Sequence, residues 1–340
     1  MSDTRGLAAK KEIILARNTL YALIRDYFVH KGFFEVETPL MLPYSSGEPF
    51  INSVNTIYFD LYNNRYQTHL SVSPETSMKK LLAAGYEKIF TITRCFRNNE
   101  NLSGFCHNPE FSMLEWYCLN SSVADIKNEC RRIITAVVKA LRDSLQIRYG
   151  DITLDFNNWE EMSVAAAFRR YTSVDLDKLD SWDQLIDRAE QLGYGRTDNA
   201  DDAFFKIFVQ DIEPEINTDH PVILTEYPSF QACFTRLKNK KYSTRFEVFC
   251  AGLELINGGE ELTDPQEYQT RLAYFKHLRR QQGRQVYKDD PDYPACLDRI
   301  KAAAGAACGL DRLLMLVTNS QDIREVLLFP GRDLFAINSE

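Results

Sequence analysis

Residues 94–117 read RCFRNNENLSGFCHNPEFSMLEWY, and this stretch decides the fold. Two runs of period-2 character, Ile89–Arg97 and Glu110–Tyr117, flank a polar, glycine-containing loop. That pattern predicts an antiparallel pair of strands. Successive side chains of a strand alternate between faces, so Phe111, Met113, Glu115 and Tyr117 share one face. An aromatic ring, a carboxylate and a phenol in line make a poor core. They make a good wall for a purine and an ammonium group, with Arg97 able to reach a phosphate beside them.

Working outward, residues 10–30 carry a helical apolar stripe that stops at Gly32, and Phe33–Val36 is a short strand ended by Pro39. His69–Ser73 reads as a strand and Pro74–Ala84 as a helix. Asn120–Ser122 can cap a long amphipathic helix bearing Ile126, Ile133, Val137, Leu141 and Leu145. Ser181 starts a shorter helix closed by Gly193, and Asp202 another that ends before Pro214. Arg245–Leu255 returns to strand, and Gly309 opens a final apolar helix, Leu310–Val317. Antiparallel strands with helices between them predict an α+β fold rather than a doubly wound parallel sheet. We read residues 1–340 as one domain, with about 150–225 a mostly helical elaboration.

Composition sets the class. At 340 residues, 44% apolar and 26% charged, the chain can bury a full core. A net charge of −8 argues against a protein that holds nucleic acid mainly by charge. The eight cysteines contain no C-x-x-C pair, so no zinc ribbon or redox motif is readable, and reduced thiols in a cytoplasm are expected. No apolar run approaches membrane-spanning length, so no membrane partner is expected.

Three further segments join the strand pair: GFFEVETP at 32–39, GLELINGGEEL at 252–262 and GLDRLLML at 309–316. In this order they resemble the three signature motifs of class II aminoacyl-tRNA synthetases, in the lysine-type version. SPE at 73–75, HNPEF at 107–111 and TNSQDIREVLLFP at 318–330 are similar to the same family. The resemblance implies the class II catalytic fold, an antiparallel β-sheet flanked by helices. A complete lysine-type enzyme adds an N-terminal anticodon-binding barrel, and a domain needs roughly 100 residues. Only one helix precedes Gly32, so no such OB domain is expected. A stand-alone core resembles the elongation factor P β-lysine ligases, and EYPSFQACF at 226–234 is similar to the P-x-S-Q-A-S of that group. Ala307 also resembles the β-lysine ligases, where lysyl-tRNA synthetases carry glycine.

The resemblance implies ATP-dependent activation of lysine or, rather, (R)-β-lysine as an aminoacyl-adenylate. Transfer to a lysine side chain of elongation factor P would follow, with tRNA not expected as a partner. Arg97 would hold the α-phosphate, and Arg312, in the first turn of the last helix, the far phosphates. Phe111 would stack on adenine, with Asn98, Glu100, Asn108, Leu255 and Gly309 beside the nucleotide. Glu254 and Glu261 would bind Mg²⁺. Ser73, Pro74, Glu75, Glu115, Tyr117, Glu261 and Ala307 would surround the diamino acid. The first motif implies a homodimer. Alternatives are an enzyme of the same chemistry that charges tRNA or another carrier, and a catalytically silent binding paralogue.

The chain departs from the pattern in places. Asn99 is inserted between Asn98 and Glu100, Phe105 stands where the family has arginine, and Cys308 replaces an aliphatic residue. Taken singly, His107 reads as structural, and the basic stretches Arg236–Arg245 and Arg279–Arg284 read as solvated faces.

Overall fold

The computed structural model describes residues 4–102 and 104–335, so the outermost ends of the expected 1–340 domain lie outside it. In chain order the strands are β1 (Phe34–Glu35), β2 (Met41–Leu42), β3 (Asn55–Phe59), β4 (Arg65–Leu70), β5 (Lys88–Phe96) and β6 (Glu110–Leu119). There follow β7 (Gln146–Tyr149), β8 (Ile152–Asp155), β9 (Glu160–Ser163), β10 (Val222–Thr225), β11 (Phe246–Cys250), β12 (Leu253–Glu260) and β13 (Ala303–Gly309). Eight of them form one sheet in the order β1-β5-β6-β13-β12-β11-β10-β9. Its middle is antiparallel, as expected, while β1 on β5 and β9 on β10 run parallel at the two edges.

One face of this sheet is the core. The helices Lys11–His30, Val123–Arg142 and Leu310–Thr318 lay Leu20, Phe28, Ile133 and Leu313 against Phe90, Leu114, Trp116 and Ile256. Each such side chain contributes about 1.5–3 kcal/mol by leaving water. The expected capping of the long helix is present: Ser122 and Asp125 form a reciprocal capping box. The stretch around 150–225 buries its own cluster, including Phe168, Leu185, Phe204 and Phe208, against Leu224 and Phe249. The sheet's other face carries the polar side chains Thr91, Glu115, Tyr117 and Glu247.

Several elements differ from expectation. The run Arg245–Leu255 is two strands, because Ala251 (φ 52°) and Gly252 (φ 72°) are both left-handed and turn the chain into a hairpin. The strand expected at His69–Ser73 ends at Leu70 and belongs to a β3–β4 hairpin. A 17-residue helix, Pro265–Gln281, escaped the periodicity reading although its start is well marked. Asp264 accepts hydrogen bonds from the amides of Gln266 and Glu267, and proline occupies the first turn. Among the described residues no helix is long and apolar enough to cross a membrane.

Candidate active site

The polar face is organised by register. A row of paired residues runs Thr91, Glu115, Ala307, Asn257, Glu247 across β5, β6, β13, β12 and β11. The next row carries Ile89, Tyr117, Gly305 and Gly259. Alternation on β6 sends Leu114 and Trp116 to the core and Met113, Glu115 and Tyr117 to the cleft, as the sequence predicted. On β12 a bulge at Leu255 resets the alternation: Phe249 pairs with Glu254 and Val248 with Ile256. Leu253, Leu255 and Ile256 therefore all enter the core, and Glu254 and Asn257 face the cleft. The side chain of Leu255, expected beside the nucleotide, is 1% exposed within the core, which leaves only its backbone for that role.

One end of the cleft is acidic. Tyr117 donates its hydroxyl to Glu115 Oε1 at 2.5 Å, and Glu115 Oε2 is buried with no partner. Burial, with the charge of Glu75 added, pushes the Glu115 carboxyl well above its ordinary range against the opposing Tyr117 bond. Ser73 accepts from the amide of Glu75 at 3.4 Å, and the helix Glu75–Ala83 starts directly after Pro74. That turn delivers Glu75 to the pocket. Lys79, one helical turn on and fully buried, holds Glu75 Oε1 at 2.5 Å and ion-pairs with Glu261. Burial works against its charge, but Glu261 and Glu75 outweigh it and hold the ammonium well above its ordinary pKa.

The other end is cationic. The Arg97 guanidinium lies 5.1 Å from the centre of the Phe111 ring, and its Nε is buried without a partner. Arg312 donates to the carbonyls of Glu254 (2.8 Å) and Cys106 (3.3 Å) and lies 3.1 Å from His107 Nε2. Burial, then the Arg312 charge, lowers the His107 pKa, which suits a neutral ring accepting from the guanidinium. His107, set aside from sequence, thus stands in the site. Asp311 fixes this end from the core side by accepting from the Ser112 amide (2.6 Å) and pairing with Arg17 (2.7 Å). Gly309 is the N-cap of the Arg312 helix.

The inserted Asn99 sits at φ 61°, a conformation asparagine tolerates, and the chain carries Glu100 back toward His107. Asn98 uses its side chain on the Asn99 amide. Asn108 does not reach the nucleotide wall with its amide: it donates to Glu110 O and accepts from the Gly331 amide. Its work is to pin the turn ahead of Phe111.

Two arginines expected on solvated faces are not solvated: Arg279 is buried and Arg245 mostly so. Arg279 donates to the carbonyls of Glu48 and Ile51 and to Asn52 Oδ1, fixing the segment that carries Glu48. Arg245 pairs with Glu247, which also accepts from Tyr227 (2.6 Å) and Asn257 (3.0 Å). The polar residues at alternate positions 245 and 247 of an otherwise apolar run were the available signal. Glu254 lies near the start of β12 and Glu261 just past its end, where it pairs with Lys79. Glu247 and Glu254 are close enough that the Glu254 charge adds to burial in raising the Glu247 carboxyl. A hydrated cation needs only one or two carboxylates beside phosphates; Glu254, with its side chain 40% exposed, could supply one, whereas Glu261 is ion-paired with the buried Lys79.

A model of the class II tRNA synthetases (D, K and N) matches residues 3–333. The chain belongs to that family. Among the synthetases and their relatives, it is 33% identical over 330 residues to a lysine–tRNA ligase of Magnetococcus marinus, covering 94% of this chain and 64% of the relative. It is 33% identical over 328 residues to the elongation factor P–(R)-beta-lysine ligase of Haemophilus ducreyi, covering 94% of each. The lysine–tRNA ligase of Escherichia coli is 32% identical, with 93% of this chain and 62% of that protein covered. The chain thus spans a little under two thirds of the lysine–tRNA ligases it matches.

Proposed function

We propose that this chain is an ATP-dependent ligase that activates a lysine-like diamino acid, preferentially (R)-β-lysine, and transfers it to a lysine side chain of elongation factor P. The observation that carries the reading is one sheet face with Arg97 and Arg312 at one end and the buried, half-unpartnered Glu115 at the other. The substrate carboxylate attacks the α-phosphorus of ATP and pyrophosphate leaves. A protein amine then attacks the acyl carbon, AMP leaves, and the amine's proton passes to solvent. No protein nucleophile is needed, so the residues act by position and charge. Phe111 supplies the purine wall, and Glu115, Tyr117 and Glu75 receive the ammonium groups. Mg²⁺ would neutralise phosphate charge, held by Glu254 with Glu247 behind it.

The PSFQAC segment supports the protein acceptor and Ala307 the β-lysine substrate, and the similarity to the Haemophilus ducreyi ligase agrees. The equal similarity to lysine–tRNA ligases favours a second reading, in which tRNA is charged. Incubation with ATP, Mg²⁺, β-lysine and elongation factor P should add one lysyl mass to the factor. An unchanged factor together with charged tRNA would transfer the proposal to the second reading. A homodimer in the cytoplasm completes it: Phe34 is 64% exposed and Met41 46%, apolar surface on the first-motif segment. Sedimentation as a monomer at micromolar concentration would remove the dimer.

A further inference from the structure

Lys79 is a lysine at a packing position. Its helix buries Met78 and Leu82, and Lys79 is as buried as they are, at 0% exposure. Its ammonium bridges two carboxylates from distant parts of the chain, Glu75 at the start of its own helix and Glu261 just past β12. Replacing such a buried ion pair by apolar groups usually costs no stability, so packing gives no reason for the charge. The pocket gives one. Glu75, Glu115 and Glu261 bring three carboxyl groups and Lys79 one ammonium, and Glu48 is near enough to feel the charges of Glu75 and Lys79. Acidic groups outnumber the lysine, which suits a ligand that carries ammonium groups.

A single ammonium holding both partners also fixes their spacing. The Glu75 and Glu261 oxygens that share the ammonium are kept within two short hydrogen-bond lengths of each other, at most about 5 Å. Glu115 is held independently by Tyr117 on the sheet. Glu75 and Glu261 are thus held as one unit through Lys79, and Glu115 as another through Tyr117.

We propose that Lys79 is a positioning residue that sets amino-acid specificity, by locking Glu75 and Glu261 at the spacing that matches the distance between a substrate's two amines. This rests on the diamino-acid reading above. β-Lysine holds its amines one bond closer together than α-lysine, so the lock separates the two.

The test is amino-acid-dependent ATP–pyrophosphate exchange by wild type, Lys79→Met and Lys79→Arg, with α-lysine, β-lysine and ornithine. Lys79→Met should raise the KM for the preferred diamino acid by about 10- to 100-fold while the KM for ATP stays within about 2-fold. It should also shift the ratio of kcat/KM values between diamino acids by about 10-fold. Lys79→Arg keeps the charge but not the geometry, so it should fold and still shift that ratio. Unchanged ratios in the folded variants, with kcat and both KM values falling or rising together, would make Lys79 merely structural and overturn the proposal alone. Wild type that exchanges with no diamino acid would overturn both this inference and the function on which it rests.

Discussion

Gly305 lies directly beneath the ring of Tyr117: a Cβ at position 305 would come 2.2 Å from Tyr117 Cδ1. The two are paired across β13 and β6, so the glycine makes room for the phenol to lie on the sheet and reach Glu115. Gly305→Ala should therefore destabilise the protein by about 1–3 kcal/mol. It should also displace Tyr117 and raise the amino-acid KM in exchange, with the ATP KM unchanged. Urea unfolding and steady-state exchange check the two effects separately.

Ala307 stands in the row between Glu115 and Asn257. Ala307→Gly removes one methyl from the pocket floor and should move the preference from β-lysine toward α-lysine by about 1–3 kcal/mol. The ratio of kcat/KM values for the two amino acids measures it; an unaltered ratio would take Ala307 out of discrimination.

Arg312→Ala should lower exchange by at least about 100-fold if, as proposed, its charge serves the phosphates. The helix Leu310–Thr318 is anchored by Leu310, Leu313 and Leu314, so circular dichroism should stay as in wild type. Retained exchange would remove Arg312 from the site.

The two expected metal carboxylates should now behave differently. Glu254→Gln should raise the Mg²⁺ concentration for half-maximal exchange by about 10-fold. Glu261→Gln should leave that titration alone and raise the amino-acid KM, since Glu261 partners Lys79. Equal Mg²⁺ shifts in both variants would return Glu261 to the metal.

Asp201 predicts a pH effect on stability. It is 4% exposed and accepts from Gln231. Burial first, and the charge of Asp202 second, raise its carboxyl to about 7. The folded protein keeps this proton up to about pH 7, whereas an unfolded aspartate releases it near 3.9. The unfolded state binds fewer protons in between, so this group's contribution to stability falls as pH rises through that window. Asp201→Asn should flatten the fall and gain on the order of 2 kcal/mol at pH 8, read from urea unfolding at pH 5 and 8.

Much of the catalytic wall was legible from local pattern. The period-2 runs around 94–117 located β5 and β6, and alternation alone put Met113, Glu115 and Tyr117 on one face. The capping signal at Ser122 and the helix after Gly309 were equally local. The bulge at Leu255 was not, because it arises from how β12 meets β11 and appears only when the two are paired. That one residue turned Leu255 inward and kept Glu254 and Asn257 in the cleft.

The order of residues by itself determined the strand pair, the helices that cover it and the motif set that assigns the family, since each depends on neighbours within a few turns or strand steps. Only the tertiary structure decided which charges meet. Lys79 with Glu261 and Arg312 against His107 join segments far apart in the chain. An ion pair depends on distance in space, which folding sets through sheet order and register, and no periodicity along the sequence encodes it.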